Sequence, residues 1–295
     1  MELDELFSVR NLFWLGSYDA AIEEAQQLQA KTDREKIDRD VYVFRSYIAK
    51  GEGAKVIDAV GDQGSASTDV LAVKLLASFV TQPNNREAVL GTFTEWLNDE
   101  TSKDNQMLQI MASTAFAEAS DTKEALRALR ATGNLEVHAL RVQIFIGMNR
   151  VDLATKELKT MQDLDDDSAL TQLSLARVHL ASGGEKYQEA AYIFQEQIDK
   201  TMSSTLLLNG LAASHMQMKN FSDAEKYLQE ARQKDPKDVD VLINSISCAA
   251  NLRKPLQPLI GALKEVAPGH PLLEQLGSCK SEFDRMAASF EVPAS

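Results

Sequence analysis

The sequence resembles itself at an interval of about 34 residues, and this repeat constrains the fold more than any other feature. Within MKNFSDAEKYLQEARQKDP an aromatic residue, an alanine and a bulky apolar residue stand at Phe221, Ala224 and Leu228. The same order occurs one interval earlier, at Tyr187, Ala190 and Phe194. On a helix Ala224 and Leu228 share a face, because side chains three and four residues apart are neighbours. An alanine on that face predicts that a second helix packs there at short distance.

A repeat of this length, with aromatic, small and bulky residues in fixed order, is typical of tetratricopeptide repeats, in which each unit is a helix–turn–helix. Further copies include one with Ala154 and a shortened one with Ala125. The second copy has Phe44 and Tyr47 but lacks the signature of a second helix. We interpret the polar stretch 61–68 that follows it as a loop.

These copies predict an all-α chain, a tetratricopeptide-repeat right-handed α-solenoid that ends in a C-terminal capping helix. Glycine and proline, 14 and 7 in 295 residues, are too few for an all-β chain rich in tight turns. We expect one solenoid over residues 1–295 with about eight repeats. Divergent repeats occupy 1–130, clearer repeats occupy 131–270, and the capping helix and tail occupy 271–295. The first helix of each repeat lines the concave side, so function is expected in a surface.

Composition excludes several functional classes. The net charge of −13 argues against nucleic acid as a partner, since binding it needs clustered lysine and arginine. The first residues, MELDELF, are acidic where a signal peptide is basic, and no apolar run approaches the ~18 residues of a membrane span. The two cysteines, Cys248 and Cys279, lie far apart, and we expect two buried thiols in a reducing compartment. We therefore expect a cytosolic protein without direct membrane insertion.

The motifs predict no catalytic residue, no cofactor and no metal ligand. Asp163, Asp165 and Asp167 occupy the first three ligand positions of a calcium loop, but its glycine and its glutamate are missing. His179 and His215 lie at equivalent repeat positions, where an aromatic residue is usual, and we interpret both as packing residues.

The repeat register indicates which side chains face the concave side near the beginning of the chain. Trp14 and Trp96 either pack between helices or anchor a partner, and the sequence leaves both interpretations open. The register predicts a partner-binding face on the first helix and on the first helix of the fourth repeat. Its residues are Leu3, Phe7, Arg10, Phe13, Met107, Ile110 and Thr114.

Longer blocks resemble one family. The opening DELFSVRNLFWLGSYDAAIEEA, together with MQDLDDDSALTQL, GGEKYQEAAYIFQE and LLLNGLAASHM, is similar to the epsilon subunits of coatomer, the COPI vesicle coat. The resemblance covers nearly the whole chain. It implies a non-catalytic structural subunit that forms a heterodimer with the C-terminal domain of the alpha coatomer subunit. It also implies indirect association with the other coatomer subunits and with an Arf-type GTPase on the Golgi membrane.

The family further implies retrograde Golgi-to-ER and intra-Golgi transport, with the protein on the cytosolic face of Golgi membranes and COPI-coated vesicles. An alternative is a tetratricopeptide adaptor of another multisubunit assembly, or a co-chaperone that clamps a C-terminal carboxylate. Such a clamp needs several converging Lys, Arg and Asn side chains. Asn209 and Arg177 are isolated among apolar positions, which disfavours the clamp.

Overall fold

The structure, a computed structural model, describes residues 5–61, 66–130 and 132–290. Over these residues the chain forms 17 α-helices and one short 3-10 helix, Pro83–Asn85, and no strand. Contacts divide it into two compact units, Met1–Met202 and Ser203–Ser295, named here the N-terminal unit and the C-terminal unit. The prediction of an all-α chain is confirmed.

The N-terminal unit contains twelve helices, in which a first and a second helix alternate. They are α1 (Phe7–Trp14), α2 (Tyr18–Gln27), α3 (Asp33–Ala49), α4 (Gly53–Val60), α5 (Thr68–Thr81), α6 (Arg86–Asn98), α7 (Gln106–Glu118), α8 (Thr122–Ala128), α9 (Leu135–Gly147), α10 (Val151–Asp165), α11 (Ala169–Ser182) and α12 (Lys186–Lys200). The C-terminal unit contains α13 (Thr205–Gln217), α14 (Phe221–Lys234), α15 (Val239–Asn251), α16 (Gln257–Val266) and α17 (Pro271–Ser289).

The alanines of the repeat are the points of close approach between helices. Ala154, Ala190 and Ala224, one on each of three second helices, are fully buried. Their neighbours Leu228 and Ala231 are buried on the same face of α14, as the spacing predicts. A larger side chain at these positions has no space, because protein interiors are packed to the density of organic crystals.

The second repeat has a second helix, contrary to the weak signal in its sequence. Helix α4 begins at Gly53, the position at which α2 and α14 carry an aromatic residue, Tyr18 and Phe221. A Cβ atom at Gly53 would lie 2.7 Å from the Thr81 Cγ2 atom, closer than carbon atoms approach. The pattern is hidden in the sequence because glycine stands at the aromatic position of the repeat and the buried Val56 stands at the position of its alanine. The predicted loop 61–68 falls largely on residues 62–65, which lie outside the described residues.

The turn between the two helices of a repeat recurs with one backbone feature. A residue just after the first helix has a positive φ in most repeats: Gly16, Gly51, Ser120, Asn149, Gly183, Lys219 and Arg253. This left-handed residue allows the last carbonyls of the helix to be capped by backbone N–H groups, as at Gly51, whose N–H donates to the Ile48 carbonyl. Glycine and non-glycine residues adopt the same turn conformation. The packing of the repeat, rather than the residue type, therefore determines this conformation.

The last helix covers less of the C-terminal unit than a capping helix was expected to. Leu272 and Leu273 pack against the cluster that contains Leu263, but no residue of α17 is buried. Cys248 is buried and Cys279, on α17, is exposed. The prediction of two buried thiols is therefore wrong for Cys279, because α17 packs only through its beginning.

Candidate functional site

The first helices of the N-terminal unit form a closed circuit of contacts, named here the helix circuit. Helix α1 contacts α3, and contacts follow from α3 to α5, α5 to α7, α7 to α9 and α9 to α11. Helix α11 then contacts α1, which closes the circuit. The side chains that these helices direct inward therefore face one concave space.

A cavity of about 690 Å³ lies within this circuit. Its apolar lining includes Phe7 of α1, Met107 and Ile110 of α7, and Leu135 at the start of α9. Phe7 is 62% exposed, which is unusual for a phenylalanine. Polar lining residues include Arg10, Arg34, Asp38, Asp69, Asn105, Glu136 and Asp165. A concave surface of this size with apolar walls and a few fixed polar groups suits a segment of another polypeptide.

Four of the residues singled out by the repeat register come together at this cavity: Phe7, Arg10, Met107 and Ile110. Two others do not line it. The ring of Phe13 packs against Tyr42 with a centroid distance of 5.5 Å, and Thr114 Oγ1 donates to the Ile110 carbonyl at 2.8 Å. Leu3 lies outside the described residues.

On one side of the cavity a single guanidinium is shared by two carboxyl groups. The guanidinium of Arg34 lies 2.8 Å from Asp38 and 3.3 Å from the buried Asp69. Asn105 donates a further hydrogen bond to Asp69 at 3.2 Å. Burial raises the pKa of Asp38, and the charge of Arg34 offsets only part of this rise. This side of the cavity is therefore an organised polar rim.

On another side, three donors converge on the carboxylate of Glu136, and we name these four residues the Glu136 junction. Trp14 Nε1 of α1 donates to Oε1 at 2.9 Å, and the Tyr42 hydroxyl of α3 donates to the same oxygen at 2.7 Å. Arg45 Nη2, also of α3, donates to Oε2 at 2.7 Å. The Glu136 and Arg45 side chains are only 9% and 10% exposed. A carboxylate with these partners holds α1 and α3 against α9.

The electrostatics of the Glu136 junction favour the charged forms. Burial raises the pKa of Glu136, but the charge of Arg45 and the hydrogen bonds of the three donors outweigh burial and hold that pKa below its usual value. Burial and the nearby carboxylate raise the pKa of Tyr42 well above its usual value, so its hydroxyl remains a donor. The Arg45 guanidinium also lies 4.5 Å from the centre of the Phe13 ring, a cation–π distance.

Sequence reasoning missed Glu136 and Arg45. The two residues are 91 positions apart, so no local spacing relates them. Trp14 was noted as either a packing residue or an anchor, and it both packs against the cluster of α9–α11 and lines the cavity. The only sequence feature that could have indicated this ion pair is the presence of opposite charges on two predicted first helices. Many pairs of surface residues share that feature.

The described residues contain neither a metal-binding cluster nor a membrane-spanning helix. No group of three or more His, Cys, Asp or Glu side chains is arranged to hold a metal ion. No helix in these parts of the chain combines the length and the apolar character needed to cross a membrane.

Comparison with known proteins gives a consistent result. The family model described as coatomer epsilon subunit matches residues 2–291. The chain is 40% identical to coatomer subunit epsilon-1 of Arabidopsis thaliana, with 97% of each chain covered. It is 35% identical to coatomer subunit epsilon of Caenorhabditis elegans, covering 97% of this chain and 98% of that protein. The resemblance noted in the sequence is confirmed.

Solved structures support the fold. A tetratricopeptide repeat protein from Parabacteroides merdae superposes with a TM-score of 0.60 at 13% identity, over 82% of this chain and 96% of that chain. The APC/C hetero-tetramer Cut9–Hcn1 gives a TM-score of 0.60 at 16% identity, over 92% of this chain and 55% of that chain. At such identities the likeness concerns the fold alone, and it confirms the tetratricopeptide-repeat α-solenoid class. The match of nearly the whole sequence, together with this fold, shows that the chain belongs to the coatomer epsilon subunit family and is a subunit of the COPI coat.

Proposed function

We propose that this coat subunit is non-catalytic and forms a heterodimer with the C-terminal domain of the alpha coatomer subunit through the cavity of the N-terminal unit. The observation that carries the proposal is Phe7, a large aromatic side chain left mostly exposed at a concave surface. Aromatic residues that fill a partner's pocket commonly dominate binding energy. Met107 and Ile110 extend the apolar surface on the opposite helix.

The proposal includes a cellular setting. The heterodimer joins the other coatomer subunits, and an Arf-type GTPase brings the coat to the cytosolic face of Golgi membranes through those subunits. The coat then acts in retrograde Golgi-to-ER and intra-Golgi transport. The net charge of −13 supports recruitment by protein contacts rather than by anionic lipid.

The co-chaperone alternative gains no support from the cavity. A carboxylate clamp needs free cationic side chains, whereas Arg34 is paired with two aspartates.

Co-expression with the alpha C-terminal domain, followed by size-exclusion chromatography with mass determination, tests the proposal. We expect a 1:1 complex that survives moderate salt, because an apolar interface is screened little. The wild-type chain failing to co-elute would make the alpha assignment wrong.

Substitutions then test the cavity itself. Phe7→Ala should weaken binding by about 2 kcal/mol or more, a factor of roughly 30 in Kd. Tyr192→Ala is the matched control, since Tyr192 is an aromatic residue of the same unit, 66% exposed and outside the cavity. Ile110→Asp is unsuitable because Ile110 is only 4% exposed and a buried charge would disturb folding. Equal affinities for Phe7→Ala and Tyr192→Ala would exclude the cavity as the binding surface.

A further inference from the structure

One junction of the helix circuit differs from all the others. Wherever two neighbouring first helices are consecutive repeats, the intervening second helix packs on both, as α2 does on α1 and α3 and α10 does on α9 and α11. The junction of α1 with α9 and α11 has no such connecting helix, and Trp14 and Glu136 are 122 residues apart. Only non-covalent contacts close the circuit there.

The polar contacts at this junction converge on one side chain. Glu136 accepts all three hydrogen bonds that reach it from α1 and α3. The partly buried Trp14 ring also packs there, on the cluster of α9–α11. Within each repeat pair, by contrast, the chain itself joins the two helices through a short turn, and buried side chains such as Leu158 and Met161 of α10 add to that connection. Local opening of the helix circuit is therefore expected at the Glu136 junction before a repeat separates.

The groups on the α1–α3 side have partners that remain when the junction opens. Arg45 lies over Phe13 at 4.5 Å and over Tyr42 at 5.2 Å, and these three residues move together. Phe13 and Tyr42 also belong to the cluster of Leu6 and Val9 that holds α1 to α2 and α3. The first repeat and α3 can therefore leave α9 as one body with the arginine still sheltered.

We propose that the Glu136 junction is the gate of the cavity: α1 and α3 separate from Glu136 to admit the partner segment sideways, and then close around it. The inference rests on the proposed function for its partner. A segment inside a folded domain can enter a closed circuit lengthwise only as a loop that fits the opening folded back on itself. A single extended segment has to enter sideways, and a junction without a connecting helix is the place where it can.

The decisive measurement is a kinetic comparison of Trp14→Phe with the matched control Trp96→Phe, using the full chain and the alpha C-terminal domain. Trp14→Phe keeps an aromatic ring but removes the N–H that donates to Glu136. Trp96 lies on the second helix α6, outside the four residues of the Glu136 junction, and does not line the cavity. Opening precedes association at a gate, so we expect the association rate constant of Trp14→Phe to rise by roughly tenfold relative to Trp96→Phe, whatever the change at a lining side chain does to the dissociation rate constant.

Each other outcome overturns the gate. Because Trp14 lines the cavity, a change in the dissociation rate constant alone would show that it is merely a partner contact. Equal rate constants in both variants would show that binding does not require this junction to open. Stopped-flow mixing at several partner concentrations separates these results.

A partner-free measurement distinguishes failure of the gate from failure of the proposed function. In a Trp96→Phe background Trp14 is the only tryptophan, so its quenching by acrylamide reports exposure at the Glu136 junction. Tyr42→Phe removes one donor to Glu136 and keeps the ring, and we expect the quenching constant to rise roughly twofold. Tyr227→Phe in the same background, in the C-terminal unit, is the control and should change nothing. No difference between the two variants would overturn the gate, whether or not the alpha domain binds.

Discussion

Glu136→Gln is the substitution whose cost follows most directly from the structure. It removes the counter-charge of Arg45, whose side chain is 10% exposed, and leaves a buried positive charge unpaired. Removing one partner of a buried ion pair costs about 3–5 kcal/mol. Glutamine still offers an acceptor oxygen to Trp14 and Tyr42, although each of these hydrogen bonds loses about 1 kcal/mol when its acceptor becomes neutral. We expect a loss of about 3 kcal/mol or more in the free energy of unfolding.

Urea unfolding followed by tryptophan fluorescence measures this loss in the correct part of the molecule. Both tryptophans, Trp14 and Trp96, lie in the N-terminal unit. Glu124→Gln is the matched control, because Glu124 pairs with Arg127 on the surface of α8. Exposed pairs contribute about 0–1 kcal/mol. A loss below about 1 kcal/mol for Glu136→Gln would refute the reasoning, because the carboxylate would then behave like a surface group.

Two additions make this test stricter. In a cycle with Arg45→Met, the double variant should lose less stability than the sum of the single variants, by about 2 kcal/mol. The pKa of Glu136 is lower in the folded state, so its stabilisation is present above the unfolded pKa of about 4.3 and is lost as pH falls through the folded pKa. The Gln variant should therefore show a flatter decline of stability in acid than the wild-type chain. Parallel curves would contradict the charged form of Glu136.

The remaining predictions concern sites away from the Glu136 junction. Gly53→Ala should destabilise by about 1–2 kcal/mol, since its Cβ meets a threonine side chain, whereas Gly91→Ala, with open space around it, should stabilise by about 1 kcal/mol. Burial lowers the pKa of His215, so its contribution to stability is present above about pH 6.5 and is lost as pH falls through the folded pKa. His215→Phe should thus reduce the difference between urea midpoints at about pH 7.5 and about pH 5.5, and an unchanged difference would contradict this. Deleting residues 277–295 should change the thermal midpoint of the C-terminal unit little, because the described residues among them are all exposed, while Leu263→Ala should cost about 2–5 kcal/mol. A large effect of the deletion would mean that α17 packs more extensively than its exposure indicates.

The sequence predicted those parts of the fold that depend on contacts between neighbours. Ala190 and Ala224 are buried where the repeat places them, because the size of each side chain is determined by contact with the neighbouring helix. The second repeat shows the limit of pattern recognition, since a glycine at the aromatic position and Val56 at the alanine position weakened the signal without preventing the helix. Lys219 and Arg253 adopt the left-handed turn conformation that glycine adopts in other repeats. Neither lysine nor arginine is a residue type that predicts this conformation.

The candidate site was predictable in part for the same reason. Register alone placed Phe7, Arg10, Met107 and Ile110 on inward faces, and these residues line one cavity. Phe13 shares the register but packs between Tyr18 of α2 and Tyr42 of α3. The position of a residue along a helix gives the direction of its side chain only within about a third of a turn. An error of that size is enough to mistake a residue that packs between helices for one that lines the cavity.

Closure of the helix circuit could not follow from the sequence, and the reason is geometric. Each repeat turns slightly against the last, and the contact of α1 with α11 depends on the sum of these rotations over the intervening repeats. A small change in each rotation would add up to a gap or an overlap at that contact, whereas every neighbouring contact would survive. A closed circuit therefore requires side chains that fit only one value of the total rotation between the first and the last repeat. The buried Glu136 carboxylate with its three donors meets this requirement, because its hydrogen bonds tolerate little displacement. The Glu136 junction, the contact of the N-terminal unit that is hardest to predict, is thus the one that closes the helix circuit around the cavity.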